Sequence, residues 1–415
     1  MFEKFSLPIK PINWENDSNR RLLMYCSSDT GLGHFSRLSR IAMGIKSLDS
    51  SVQILFLTDI LPQPSQDFND HFAVIKLPGY IHSNKKDAAA GLKIDHEILQ
   101  RLRVNLISTT LWSFQPHVFL MDTGPHGKKN ELAKPLAWMQ RHLPNTKRIL
   151  QFRDIPVPPA EYFDPTESYQ DKFLNQHNFY HHFIVSGHKN LFDIAKEYHW
   201  PPELEQKLHY CGLVVPKPRN SKPTQQQLNA QNVSADEAPR KRLLISFGGG
   251  WDSDFLAPLM VETLKQLVQK MKPSPQVHLF TGPAISDESF ALLEKLTHEL
   301  PLTLVRYSSD FPSILAQADV AFLQGGSTAY QILESDKPMI IYTREYSTQE
   351  QQCRADLLGK FPDITIINQD WAKTNSLAKL LQEAFAKPKL KRKTGLTYNG
   401  IQEAAEFIIN QLPKR

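Results

Sequence analysis

Leu22-Leu23-Met24-Tyr25-Cys26-Ser27-Ser28-Asp29-Thr30-Gly31-Leu32-Gly33-His34-Phe35-Ser36-Arg37 is the stretch on which the reading of the fold turns. An unbroken apolar run ends in a polar, glycine-bearing turn, and a helical pattern begins near His34. A run that is apolar at every position suits a strand buried on both faces, as in a parallel sheet. Gly31 and Gly33 let the backbone turn tightly beside a ligand, and the first N–H groups of the following helix favour an anion. The imidazole of His34 therefore stands where a phosphorylated substrate would lie. A plain strand-to-helix turn with a structural histidine would read the same, because a short glycine motif is a weak signal.

Outward from this stretch the alternation repeats. The pattern predicts strands over 22–26, 52–57, 73–77, 118–121, 148–152, 183–185 and 210–214, with helices over 34–47, 96–114, 130–142 and 191–198. Residues 78–92 read as a mobile loop. Strands separated by helices argue for parallel β-α-β units with right-handed crossovers. Residues 216–240 then carry prolines, asparagines and Gln225-Gln226-Gln227 with almost no large apolar side chain, the composition of a flexible connection. A second series follows, with strands over 243–247, 277–280, 303–307, 320–322, 339–342 and 364–367. A last helix sets Ile401, Ala404, Ala405, Ile408 and Leu412 on one face. The expected class is α/β: Rossmann-like domains over 1–217 and 241–395, a linker or insertion over 218–240, and a C-terminal helix over 396–415. Two such sheets imply a cleft at their carboxyl edges, where open α/β sheets bind ligands.

The totals narrow the classes. A chain of 415 residues, 41% hydrophobic and 22% charged, reads as two or three globular domains. No apolar run approaches the ~18 residues of a membrane span, and no signal-type segment opens the chain. A cytoplasmic location is expected. Cys26, Cys211 and Cys353 are odd in number and far apart, against a disulfide framework or a zinc site. The net charge of +5 is mild and gives no reason to expect nucleic acid. Part of the excess lies in Lys387-Pro388-Lys389-Leu390-Lys391-Arg392-Lys393, read as a solvated loop or, more sharply, as a point of attraction to anionic headgroups at the inner membrane surface.

Two further glycine turns follow strands in the second half. Gly248-Gly249-Gly250 precedes Asp252, Ser253 and Asp254, which read as acidic residues at a helix start; a metal-binding Asp-x-Asp is the sharper and less favoured reading. In Gly325-Gly326-Ser327-Thr328 the N–H groups over 326–329 would form an anion-binding nest. Gln331 and Glu334, three apart, share a helix face and could accept from ribose hydroxyls. Glu350 and Gln351 open another helix, where Gln351 offers an amide to sugar hydroxyls. His177, His181 and His182 match no metal signature and read as surface residues on a helix.

Residues 319–358, with Gly325-Gly326-Ser327-Thr328, Lys337-Pro338 and Glu350-Gln351 followed by Ala355, resemble the nucleotide-sugar half of the GT-B glycosyltransferases. The muramoylpentapeptide N-acetylglucosaminyltransferase and UDP-glycosyltransferase families are the nearest in pattern. Gly31-Leu32-Gly33-His34 with Arg37 is similar to their first loop, and to Gly-x-Gly-His-x-x-Arg of the UDP-sugar hydrolases of pseudaminic acid synthesis. The resemblance spans about 21–358 and departs at two positions: Gln331 falls where the family has its ribose-binding glutamate, and Arg354 where it usually has asparagine. A neutral amide makes a weaker bond to a hydroxyl than a carboxylate does.

The resemblance implies an acceptor-binding first domain, a donor-binding second domain and a hexosyltransferase acting by inversion on a UDP-sugar co-substrate, with no metal or other cofactor. An imidazole of ordinary pKa, about 6.5, is largely neutral in the cytoplasm and can take a proton, so His34 is the candidate base. Asp122, after the strand over 118–121, would orient its ring, and His126 is the rival base. The diphosphate would meet the two glycine loops and Arg37 or Arg153. A UDP-sugar hydrolase using the same histidine and an inactive sugar-nucleotide-binding protein are the alternatives. An epimerase is less expected, since no acidic catalytic pattern of that class is seen.

Overall fold

The computed structural model describes residues 12–14, 18–27, 33–60, 71–81, 88–89, 92, 94–122, 124–165, 169–175, 179–215, 240–250, 253–308, 310–343, 349–387, 392 and 394–414. Contacts divide the chain into two units, Met1–Val214 with Leu396–Arg415, and Val215–Gly395.

The first unit's strands are β1 (Arg21–Cys26), β2 (Gln53–Thr58), β3 (Ala73–Lys76), β4 (Tyr80–Ile81), β5 (Ala88–Ala89), β6 (Val118–Asp122), β7 (Lys147–Arg153), β8 (His182–Ser186) and β9 (Leu208–Tyr210). Seven of them form one parallel sheet in the order β3-β2-β1-β6-β7-β8-β9. β1 is buried at every position and lies between β2 and β6, with Cys26 level with Thr58 on one side and Asp122 on the other. The chain runs outward from β1 to β3 and then resumes at β6. The gap between β1 and β6 is therefore the topological switch point, the place where sheets of this kind hold ligands.

Two helices fill the face behind that point. α1 (Gly33–Leu48) lays Phe35, Leu38, Ile41, Ala42 and Ile45 against Leu22, Met24 and Phe56. Burial of each large apolar side chain stabilises by about 1.5–3 kcal/mol. The C-terminal helix Gly400–Ile409 adds Ala404, Ala405 and Ile408 to the same core. It docks tightly: a Cβ added at Gly44 would lie 2.8 Å from Ile401 Cγ2. The Leu213 N–H donates to Thr397 O at 2.9 Å, joining this segment to the end of the first unit. Residues 396–415, set apart in the sequence as a separate helix, thus complete the first unit.

Several local expectations change. The strand expected over 210–214 is β9, which ends at Tyr210. Within 78–92, read as a loop, β4 and β5 pair as a short antiparallel ribbon. The helix placed over 191–198 shrinks to Ile194–Glu197, capped by the Asp193 carboxylate. His181 and His182 are not helical surface residues. His182 opens β8 with its ring edge-on to Phe407, and His181 Nδ1 accepts from the Arg148 N–H at 3.0 Å. His177 lies outside the described residues, as do 216–239, where the linker was placed.

Burial pushes the His181 imidazole down to about 4 and lowers His182 and His209 as well. His209 stacks on Phe407, so two of these rings hold the C-terminal helix. The unfolded chain binds their protons near pH 6.5 while the folded chain does not, so stability is full above that pH and falls as pH drops towards 4. The melting temperature should decline between pH 6.5 and 4.5, and His181→Gln should flatten that slope.

The second unit's strands are β10 (Arg242–Ser246), β11 (Gln276–Phe280), β12 (Leu302–Val305), β13 (Val320–Gln324), β14 (Met339–Tyr342) and β15 (Ile364–Ile367), parallel in the order β12-β11-β10-β13-β14-β15. Here the switch point lies between β10 and β13, whose ends carry the two glycine turns. Helix Leu377–Ala386, unread in the sequence, seals the core with Leu377, Ala378, Leu381, Ala384 and Phe385. Its signal was present: Ser376 caps it by accepting from the Lys379 N–H, and the apolar residues follow helical spacing. Arg392 of the basic run is buried and turns inward, its Nε donating to Pro362 O at 2.9 Å. Lys387 pairs with Asp363, and 388–391 and 393 lie outside the described residues. Among the described residues no helix is long and apolar enough to cross a membrane.

Candidate active site

At the first unit's switch point three predicted residues meet. His34 and Arg37 stand three apart on the first turn of α1 and so share a face. Asp122 closes β6 and is buried. His34 Nδ1 lies 3.0 Å from Asp122 Oδ1, while Arg37 donates from Nε to Oδ2 at 2.9 Å and from Nη2 to Oδ1 at 3.0 Å. Arg37, expected on a phosphate, is thus forked onto a carboxylate. Burial by itself would raise the Asp122 carboxyl, but Arg37 and then His34 outweigh it and hold it below the usual carboxylate range. An ionised carboxylate can only accept, so the proton between the two groups belongs on Nδ1. In the neutral ring that makes Nε2 the acceptor, on a side chain 21% exposed.

Arg153 ends β7 half-buried, two strands from β1. His126 packs its ring edge-on to Phe179. Gly33 opens α1; Gly31 lies outside the described residues.

Beside the cluster sits an ionic knot that the motifs did not reveal. Arg103, on α2 (His96–Phe114), is fully buried. Its Nε and Nη2 grip Glu131 at 2.6 Å each, Nη1 reaches Asp59 at 3.2 Å and the Pro78 carbonyl, and Nη2 reaches Ser27 Oγ at 3.2 Å. All five guanidinium N–H groups are matched, tying the ends of β1 and β2 to α2. Tyr25 donates to Glu131, and Lys128 stands 3.6 Å from Asp59 and over the Tyr80 ring. Burial pushes Lys128 down to about 8 and the Tyr80 phenol up to about 12.

In the second unit the turn at 248–250 rests on its neighbour. Gly250 has φ +95° and Gly282 φ +84°, and a Cβ on Gly282 would meet Gly248 O and Gly250 N at 2.5 Å. Gly282, unmarked in the sequence, is what lets the two loops touch. Gly248 N donates to Ser246 Oγ and Gly250 N to Phe247 O, so of this turn's N–H groups only that of Gly249 enters none of the described hydrogen bonds. Asp252 and the side chain of Asp254 lie outside the described residues.

The nest expected over 326–329 is half spent. Gly326 N donates to Gln324 O at 2.7 Å and Ala329 N to Gly326 O at 3.2 Å. Among the described hydrogen bonds none uses the N–H groups of Ser327 or Thr328. Gly325 packs on the start of helix Gln349–Leu358, where its Cβ would lie 3.0 Å from Gln351 O. Arg354, at the family's asparagine position, is buried; it donates from Nη1 to Gly325 O at 2.7 Å and from Nη2 to Glu350. Glu350, expected among the nucleotide-sugar-binding residues, is a partner of Arg354. Gln331 Oε1 and Gln351 Oε1 are buried acceptors with no hydrogen-bond partner among the described residues. Glu334, on the same short helix as Gln331, is exposed. A buried acceptor left unmade costs about 1–3 kcal/mol, which a ligand hydroxyl or N–H would recover.

No family model matches the sequence, and no curated protein does. Solved structures do match the fold. The chain is similar to the glycosyltransferase of kitacinnamycin, with TM-score 0.60 and 16% identity over 95% of this chain and 99% of the other. It is similar to the calicheamicin glycosyltransferase, with TM-score 0.57 and 12% identity over 95% of each chain. It is also similar to the UDP-GlcNAc 2-epimerase of Methanocaldococcus jannaschii solved with UDP-GlcNAc and UDP, with TM-score 0.55 and 10% identity over 94% and 99%. The chain has the GT-B fold.

Proposed function

We propose that the chain is an inverting glycosyltransferase that moves a hexosyl group from a UDP-sugar to an acceptor hydroxyl. The observation that carries this reading is the buried, ionised Asp122 holding His34 by Nδ1, with Nε2 left to accept. In the proposed step His34 Nε2 takes the acceptor's hydroxyl proton as that oxygen bonds to the anomeric carbon. The bond from the anomeric carbon to the diphosphate oxygen breaks, and UDP departs. The N–H groups of Ser327, Thr328 and Gly249 would receive the developing charge. Gln331 and Gln351, each with an unmatched buried carbonyl oxygen, would accept from hydroxyl or N–H groups of the donor. Gln331, a neutral amide where the resemblance has a carboxylate, adds no negative charge of its own close to a diphosphate. Two of the solved proteins that share this fold are glycosyltransferases, and an epimerase that shares it was solved with UDP-GlcNAc and UDP.

Thermal shift with UDP, GDP and dTDP tests the donor half. UDP at about 100 times its dissociation constant should stabilise by about 2.7 kcal/mol, and GDP and dTDP by much less. No shift with any of the three would remove the donor assignment. UDP-sugars incubated without acceptor should then remain largely intact. Stoichiometric release of free sugar would make the protein a hydrolase, and conversion to the C2 epimer would make it an epimerase.

A further inference from the structure

We propose that Arg37 is a positioning residue: by sharing Asp122 with His34 it fixes the carboxylate that seats the imidazole through Nδ1, opposes a positive charge on the ring and so leaves Nε2 as the acceptor. This rests on the transfer reading, in which His34 is the base. The geometry has three parts. Arg37 takes both carboxylate oxygens in a fork, at 2.9 and 3.0 Å, which fixes the plane of Asp122. His34 Nδ1 shares Oδ1 with that fork at 3.0 Å. Arg37 Nη2 is itself only 3.3 Å from His34 Nδ1. A cation this close opposes a second positive charge on the ring, while the carboxylate attracts one. Among the described residues the charged groups in contact with His34 are Asp122 from β6 and Arg37 from α1. The next acid along the sheet edge, Asp59, is taken by Arg103 and Lys128.

A carboxylate alone favours the charged ring, which has no lone pair to offer as a base. The fork opposes this, and it does so from the residue that the motif Gly-x-Gly-His-x-x-Arg supplies one turn on. Arg37 therefore serves the base rather than the diphosphate.

The test is an NMR titration of the His34 ring nitrogens in the full chain, without substrate. In Arg37→Met the titration midpoint should rise by about one unit or more, and in Arg37→Lys it should return most of the way. Asp122→Asn, which leaves Arg37 unopposed, should move the midpoint down. An unchanged midpoint in Arg37→Met, a Lys variant that shifts as far as the Met variant, or an upward shift in Asp122→Asn would each overturn the proposal. If Arg37→Met does not fold, the Lys and Asn variants still decide it. Because no turnover is measured, a correct titration with no transferase activity would sink the transfer reading alone. Where transfer is observed, the acid limb of kcat should move with the midpoint while the KM for donor stays fixed.

Discussion

Arg103→Met should lower the unfolding free energy by about 3–5 kcal/mol, because it leaves buried carboxylates without their cation. Methionine reaches as far as the arginine Nε and retains the apolar stem, so most of the loss is electrostatic. Glu131 is 1% exposed, and its two oxygens are held by the guanidinium; Asp59 keeps the Ser27 hydroxyl and, as a cation, Lys128, whose own ionisation burial already disfavours. Tyr25 and Ser27, at the end of β1, would lose the group that organises their partners. The measurement is the urea midpoint followed by circular dichroism. Adding Glu131→Gln to Arg103→Met should recover part of the loss, since a neutral amide removes the stranded charge while still accepting from Tyr25. A loss below about 1 kcal/mol in the single variant would mean that water or a shifted Lys128 replaces the guanidinium at no cost.

This knot marks the limit of what the sequence told. The unbroken apolar run of β1 and its repeats made both parallel sheets legible, since burial on two faces leaves no alternation to mislead. His34 and Asp122 were readable as neighbours because each follows a strand of one sheet, and parallel strands end at one edge. The partner of Arg37 was not, because spacing places it on the face of His34 without saying whether a carboxylate or a phosphate waits there. Arg103 left a trace that periodicity could have caught. Leu99, Ile107 and Leu111 form a stripe at four-residue steps, and Arg103 occupies its remaining step. A cation on a buried stripe needs buried anions, but these come from Asp59 and Glu131, far off in the chain. Arg354, where the resemblance has asparagine, follows the same logic: Glu350 and the Gly325 carbonyl receive its guanidinium. Gly282 was invisible, for its value lies in what touches it.

His34→Ala should cut kcat by about 10²–10⁴, the range that a positioned general base contributes. The drop should appear equally in kcat/KM, because a group that acts on the acceptor proton in the transition state does not hold the donor. The stabilisation by UDP should stay as in wild type, since Ser327, Thr328, Gln331 and Gln351 belong to the other unit. Asp122→Asn should fall between: the ring keeps its place on α1, but an amide that donates its own N–H can select the wrong tautomer and remove the lone pair from Nε2. Fold loss cannot mimic this pattern, because His34 is partly exposed and the core beneath it is carried by Phe35, Leu38 and Ile41. If His34→Ala turned over as fast as wild type, the base would have to be sought elsewhere. His126 is the first residue to test, and since its ring leans on Phe179 rather than on Asp122, its replacement should then reduce turnover without the tautomer effect of Asp122→Asn.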